Sequence, residues 1–140
     1  MKIPETIDPK RYKVKKGLAG LGLFAMDDIK KGEWIIEYVG ELKSNKEIED
    51  NTTKYLFEVN SKWTIDGSMR SNTARYINHA HHANAEPEVI KNRVFIQAKK
   101  PIKKGDEITY DYGKEYYDEF IKPYGCKCAY CQTKGKVAKK

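Results

Sequence analysis

Two short segments concentrate side chains suited to binding and orienting a polar ligand. Arg75 to Asn84 reads RYINHAHHAN, which places a guanidinium, a phenol, amides and imidazoles within ten residues. The second segment begins 21 residues after the first ends: Gly105 to Gly113 reads GDEITYDYG, with Tyr110 and Tyr112 on either side of Asp111. An amide offers both donors and an acceptor, and a phenol hydroxyl can do either. Neither segment has the pattern of ordinary core. A third cluster, Cys126-x-Cys128-x-x-Cys131, supplies thiols at close spacing.

The elements that must position these groups fit a single domain. A chain of 140 residues supports one hydrophobic core and not two typical ones. Charged residues make up 34% and apolar ones 39%, and ten of the aromatic residues are tyrosines. That is a globular composition rich in phenols. The N-terminal MKIPETIDPKRYK lacks the apolar run of a signal sequence, and no stretch approaches the roughly 20 apolar residues of a membrane span. The expectation is an intracellular protein with no membrane partner. An odd, crowded set of three cysteines does not make a disulfide framework and suits a metal in a reducing compartment, with free thiols as the alternative.

The net charge of +7 favours non-specific contact with phosphate or other acidic surfaces. From Gln132 to Lys140 there are four positive charges and no negative one, a basic tail open to nucleic-acid contact. From Asp106 to Glu119 six acidic residues face only Lys114. That run either attracts a basic substrate segment or is a solvated face.

Along the chain, Pro4 and Pro9 mark an irregular arm, and order is expected to begin near Tyr12. Residues 12–15, 21–25, 34–39, 55–59, 64–66, 93–98 and 108–112 read as strands because they are short, β-branched or aromatic, and bounded by turn signals. Helices are expected only at 43–51, where Ser44 and Glu47 have capping-box spacing, and at 71–77. AMDDIKKGE at Ala25 to Glu33 and AKKPIKKGDE at Ala98 to Glu107 form a near repeat. Two copies are too few for a solenoid, so the reading is two equivalent corners.

The glycine segment GLAGLGLFA, Gly17 to Ala25, contains GxGxxA with Glu41 about 20 residues on. A dinucleotide fingerprint must open a helix, whereas here Gly32 and the strand-like Trp34 to Val39 follow too soon. The segment is either a β-turn or a loop whose backbone amides approach a small ligand closely.

Taken together, the motifs resemble the SET-domain protein lysine methyltransferases. GLGLFA at Gly20, GEWIIEYVGE at Gly32, YLFEV at Tyr55, IDG at Ile65, RYINHAHHAN, GDEITYDYG and CKCAYC at Cys126 stand in that family's order, across about residues 12–131. The resemblance implies a mainly β chain, the SET-domain β-clip fold of small sheets with a C-terminal pseudoknot and few short helices. It divides the chain into an N-terminal arm (1–11), a SET domain (12–120), a post-SET zinc segment (121–131) and a basic tail (132–140).

It also implies the site. S-adenosylmethionine would be held by the backbone of Gly20, Leu21 and Gly22, by Arg75 and Tyr76, and by Asn78 with His79; Tyr130 would pack near adenine. Tyr112 would align the substrate amine, Tyr38 and Tyr55 would line the lysine channel, and a phenol at Tyr110 would limit the product to mono- or dimethyl-lysine. The expected substrate is a lysine on a histone tail or another basic chromatin or ribosomal protein, in the nucleus or at chromatin in a eukaryotic or host-directed setting and in the cytoplasm of a prokaryote. A SET-like module without catalysis, associated with chromatin or DNA, is the alternative, and a small zinc-stapled DNA-binding protein is a third reading that lacks a recognition helix.

In one place the chain departs from the family pattern. Where the family has a fourth metal-binding cysteine after the asparagine and histidine, this chain has His81, and its CxCxxC spacing is shorter than the commonest form. Cys3His is an ordinary tetrahedral set, so one zinc ion is expected on His81, Cys126, Cys128 and Cys131.

Overall fold

The computed structural model describes residues 3–4, 7–17, 20–48 and 55–112. Its regular structure is almost entirely β: β1 (Tyr12–Gly17), β2 (Gly20–Ala25), β3 (Trp34–Tyr38), β4 (Glu41–Ser44), β5 (Leu56–Glu58), β6 (Trp63–Asp66), β7 (Asn78–His79), β8 (Ala85–Ile90), β9 (Arg93–Ala98) and β10 (Glu107–Tyr110). Two 3-10 turns, Pro9–Arg11 and Thr73–Tyr76, complete it. Three small sheets result, ordered β1-β2-β10-β7, β3-β9-β8 and β4-β6-β5.

The glycine segment becomes a hairpin. β1 and β2 pair antiparallel from Tyr12 opposite Ala25 to Gly17 opposite Gly20, so no helix follows the glycines and the dinucleotide reading is excluded. β10 then joins the free side of β2 antiparallel, and β7 joins β10 in parallel.

The near repeat forms a matched pair of corners. Ile29 and Ile102 pair with each other, exchanging N–H to carbonyl bonds of 2.7 and 2.8 Å. Around them the bonds repeat with the copies exchanged. Gly32 N–H donates to Ala98 O and Gly105 N–H to Ala25 O, each at 2.8 Å; Ala98 N–H donates to Glu33 O and Ala25 N–H to Asp106 O, each at 2.9 Å. Gly32 and Gly105 sit at φ of 90° and 94°, a region that costs a side-chain-bearing residue energy and glycine little. The repeated KKG is thus the turn chemistry of a local two-fold, which carries β2 into β3 and β9 into β10.

One apolar core serves all three sheets. Leu23, Ile35, Val94, Ile96, Ile102 and Ile108 are fully buried in it, and Ile65 joins them from β6. Each such side chain contributes about 1.5–3 kcal/mol on burial.

Several sequence expectations change. Residues 43–51 do not begin a helix: Lys43 and Ser44 end β4, a turn follows at 45–48, and the rest lies outside the described residues. The capping-box bonds do form, Ser44 N–H to Glu47 Oε1 at 2.9 Å and Glu47 N–H to Ser44 Oγ at 3.2 Å. They close a turn because Asn45 N–H is drawn to Lys62 O and Thr64 Oγ1 donates to Asn45 Oδ1. The helix expected at 71–77 is only the 3-10 turn Thr73–Tyr76. In the arm, Asp8 caps the 3-10 turn Pro9–Arg11 by accepting from Lys10 N–H. β4, β7 and β8 were not expected; β8 holds Pro87, which a sheet edge tolerates because no ladder bond is needed on its outer side. Its hairpin to β9 turns on Lys91 and Asn92, both at positive φ as a type I′ turn requires.

Candidate active site

The two chemistry-bearing segments meet side by side. In the parallel pairing of β7 with β10, Asn78 stands opposite Thr109 and His79 opposite Tyr110. Ala80 N–H extends the ladder to Tyr110 O at 3.2 Å. Asn84 then splices the end of the first segment to β10 through its side chain, donating from Nδ2 to Glu107 O at 2.8 Å and accepting at Oδ1 from Thr109 N–H at 2.9 Å. Two residues after β10 ends, Tyr112 closes the junction from the other side. Its backbone N–H donates to His79 Nδ1 at 3.1 Å and its hydroxyl donates to Ile77 O.

These bonds fix the state of each group. His79 is buried, and burial lowers its pKa below the ordinary imidazole value, against an opposing pull from Asp111. Because Nδ1 already accepts from an amide, the 3.7 Å approach of Asp111 Oδ1 is not an ion pair but a neutral ring beside a carboxylate. Tyr112 donates its hydroxyl proton to a backbone carbonyl, so toward any further group its oxygen acts as an acceptor. Tyr110 is buried beside it, ring centroids 4.8 Å apart.

Toward β2, Asn78 Nδ2 donates to Leu21 O at 3.0 Å and to Glu107 Oε2 at 2.8 Å. Both amide protons are thereby used, which leaves Oδ1 as the acceptor. A Cβ at Gly22 would lie 2.4 Å from Glu107 Oε2 and 3.1 Å from Asn78 Nδ2, so the glycine is required for this close approach of β2. At Gly20 the space is open. Leu21 O and the Glu107 carboxylate therefore hold the Asn78 NH2 beside a glycine backbone and leave Asn78 Oδ1 to accept, which fits the ammonium end of an amino-acid-like cofactor.

The expected channel tyrosines are linked to each other and to the first segment. Tyr38, buried at the end of β3, donates its hydroxyl to Tyr55 O at 2.8 Å. The Arg75 guanidinium lies over both Tyr55, at 4.8 Å, and Tyr76, at 5.0 Å, and donates to Ser68 O. Sequence reasoning missed Asn72, which is fully buried, accepts at Oδ1 from Val39 N–H at 3.0 Å and donates from Nδ2 to Gly67 O at 3.0 Å. It also missed Glu107 and Asn84 as site residues. Glu107 was legible only as one carboxylate of an acidic run.

His81 is half-buried with its ring edge-on to His79, centroids 4.7 Å apart. Tyr130, Cys126, Cys128 and Cys131 lie outside the described residues, as do the post-SET segment, the basic tail and the second half of the acidic run. Among the described residues no three His, Cys, Asp or Glu side chains converge as metal ligands, and no helix is long and apolar enough to cross a membrane.

Comparison with known proteins places the fold in a family. Residues 20–113 match the SET domain model. The chain is 33% identical over 129 residues to human histone-lysine N-methyltransferase 2D, covering 84% of this chain and 2% of that protein. It is 35% identical over 122 residues to histone-lysine N-methyltransferase ASHH3 of Arabidopsis thaliana, covering 78% of this chain and 33% of that one. Among solved structures, polycomb repressive complex 2 of Chaetomium thermophilum superposes with a TM-score of 0.60 at 35% identity, over 68% of this chain and 14% of that one. A humanized mutant of the same complex bound to the inhibitor GSK126 gives 0.65 at 36%, over 74% and 15%. The chain belongs to the SET-domain family. It spans only a minor part of the length of these relatives.

Proposed function

We propose that the chain is an S-adenosylmethionine-dependent protein-lysine N-methyltransferase acting on a histone tail or another basic protein, in a chromatin setting. The observation that carries this reading is the parallel join of β7 to β10. It sets the acceptor of Asn78 and the phenol of Tyr110 on one pair of strands, with Tyr112 just beyond β10, so that a cofactor group and a substrate amine can be held together. When bound, S-adenosylmethionine supplies an electrophilic methyl group that a neutral amine can take by in-line displacement.

The residues present do the rest by binding and orientation. A lysine side chain ordinarily has a pKa near about 10.4, so a site that uses its neutral form must disfavour the charge. Tyr38, Tyr55, Tyr110 and Tyr112, as the walls of a narrow channel, would do so by desolvation, and a cation bound beside the amine would add to the effect. No carboxylate base is required. The Tyr112 oxygen, its proton spent on Ile77 O, is an acceptor that holds an amine hydrogen and aligns the nitrogen. The test is release of S-adenosylhomocysteine on adding histones to the chain with cofactor. Saturable cofactor binding with no such release, with histones or with a whole-cell extract, would favour a binding module without catalysis.

Tyr110, buried against Tyr112, limits the room around the amine and places its hydroxyl there. Mono- and dimethyl-lysine are therefore the expected products, and Tyr110→Phe is expected to shift the product toward trimethyl-lysine under exhaustive conditions. Mass spectrometry showing an unchanged methylation state would remove Tyr110 from this role.

One zinc ion on His81, Cys126, Cys128 and Cys131 completes the reading. Three thiols and an imidazole are a normal tetrahedral set, and the ion would pin the C-terminal segment beside the site. Purification without chelator is expected to yield close to one equivalent of zinc. Less than half an equivalent by elemental analysis would reverse the assignment.

A further inference from the structure

We infer that Glu107 is a positioning residue that locks the Asn78 amide and supplies the negative charge facing the cofactor's ammonium group; the inference rests on the cofactor reading above. Three observations converge on it. Glu107 Oε2 accepts from Asn78 Nδ2 at 2.8 Å, while the same nitrogen donates to Leu21 O. Glu107 is also the nearest group to the position a Cβ would take at Gly22, and its Oε1 lies 3.4 Å from the corresponding position at Gly17. And β10, which carries it, is the strand paired on one side with β2 and on the other with β7.

The carboxylate therefore reaches both walls of the cofactor end from the strand between them. An asparagine amide alone can be turned either way round, since its oxygen and nitrogen occupy nearly equal space. A carboxylate accepts and cannot donate, so at 2.8 Å it selects the orientation with the NH2 toward Glu107 and Oδ1 turned away as acceptor. Glutamine at position 107 removes the charge and can present its own NH2, which lets the Asn78 amide turn. Aspartate keeps the charge but is one methylene too short to reach Asn78 Nδ2. Glu107 also precedes Tyr110 on the same strand, so the group that orients the cofactor acceptor shares a rigid element with the phenol facing the substrate amine.

The test is calorimetric titration of the full chain and of its Glu107→Gln and Glu107→Asp variants with two ligands: S-adenosylhomocysteine and its analogue lacking the α-amino group. Loss of a charge-assisted bond predicts that Glu107→Gln weakens S-adenosylhomocysteine about tenfold or more, with less than about a twofold change for the deaminated analogue. Glu107→Asp is expected to fall between the unmodified chain and Glu107→Gln. Equal losses for both ligands would mean that Glu107 only supports the fold, and no loss for either would remove it from the site. Binding of neither ligand by the unmodified chain would overturn the cofactor reading itself, and the inference with it. Should either variant unfold, the side-chain amide resonances of Asn78 in the unliganded chain supply the second readout. They are expected to be protected from solvent exchange by two acceptors, and rapid exchange of both protons contradicts the lock.

Discussion

Replacing Tyr112 by phenylalanine is expected to reduce methyl transfer about a hundred- to a thousandfold while leaving cofactor affinity within about threefold of the unmodified chain. The substitution removes one oxygen and keeps the ring. The Tyr112 backbone N–H continues to hold His79 Nδ1, because that bond does not involve the side chain. What is lost is the acceptor proposed for the substrate amine and the donor to Ile77 O. Loss of the donor leaves a carbonyl short of a partner, a cost of about 1–3 kcal/mol that appears in unfolding measurements. The two effects separate in a kinetic assay: the turnover number falls and the cofactor Kd stays. A parallel fall in cofactor affinity would place Tyr112 in the cofactor pocket and not beside the amine.

The second large effect is on stability. Asn72→Ala is expected to cost about 3 kcal/mol or more, lowering Tm by roughly 10 °C or beyond. The amide of Asn72 has no exposure and joins Val39 N–H at the end of β3 to Gly67 O beyond β6. Alanine leaves both backbone groups buried and unpaired, and opens a void as well. Gly67 is packed so closely that a Cβ there would meet Asn72 Nδ2 and the Tyr38 ring at 2.4 Å each. Loosening Asn72 therefore also loosens the wall carrying Tyr38, and weaker substrate saturation should accompany the lower Tm. Urea unfolding that shifts by less than about 1 kcal/mol would show that water or a neighbour replaces the amide.

Particular residues explain how far the sequence could be read. The strand expectations at β1, β2, β3, β5, β6, β9 and β10 rested on local β-branched and aromatic runs, and local pattern is what those strands require. The corners were legible because a repeated KKG before an acidic residue is a turn signal that works alone. The meeting of RYINHAHHAN with GDEITYDYG came from the resemblance and not from spacing, since parallel pairing of β7 with β10 leaves no mark on either segment.

Other features depend on distant closure. Asn72 reads as an ordinary polar residue in MRSNTARY until β3 and β6 bring Val39 and Gly67 to its amide. Asn84 imitates a strand backbone with its side chain, and no propensity encodes that. Glu107 differs from its acidic neighbours only because Gly22 lies beneath it. The helix expected at residues 43–51 shows the converse case. Ser44 and Glu47 make the bonds their spacing implies, but a capping box and a closed turn share those bonds, and pairing with β6 decides between them.

The central claim is that the acceptor of Asn78 and the phenols of Tyr110 and Tyr112 form one site for methylating a lysine. Its most direct measurement is incubation of the chain with methyl-labelled S-adenosylmethionine, a panel of histones and a whole-cell extract, followed by mass spectrometry of the labelled proteins. The account predicts label on lysine side chains as mono- and dimethyl-lysine, abolished by Tyr112→Phe. Label on no protein, with cofactor binding retained, would contradict it.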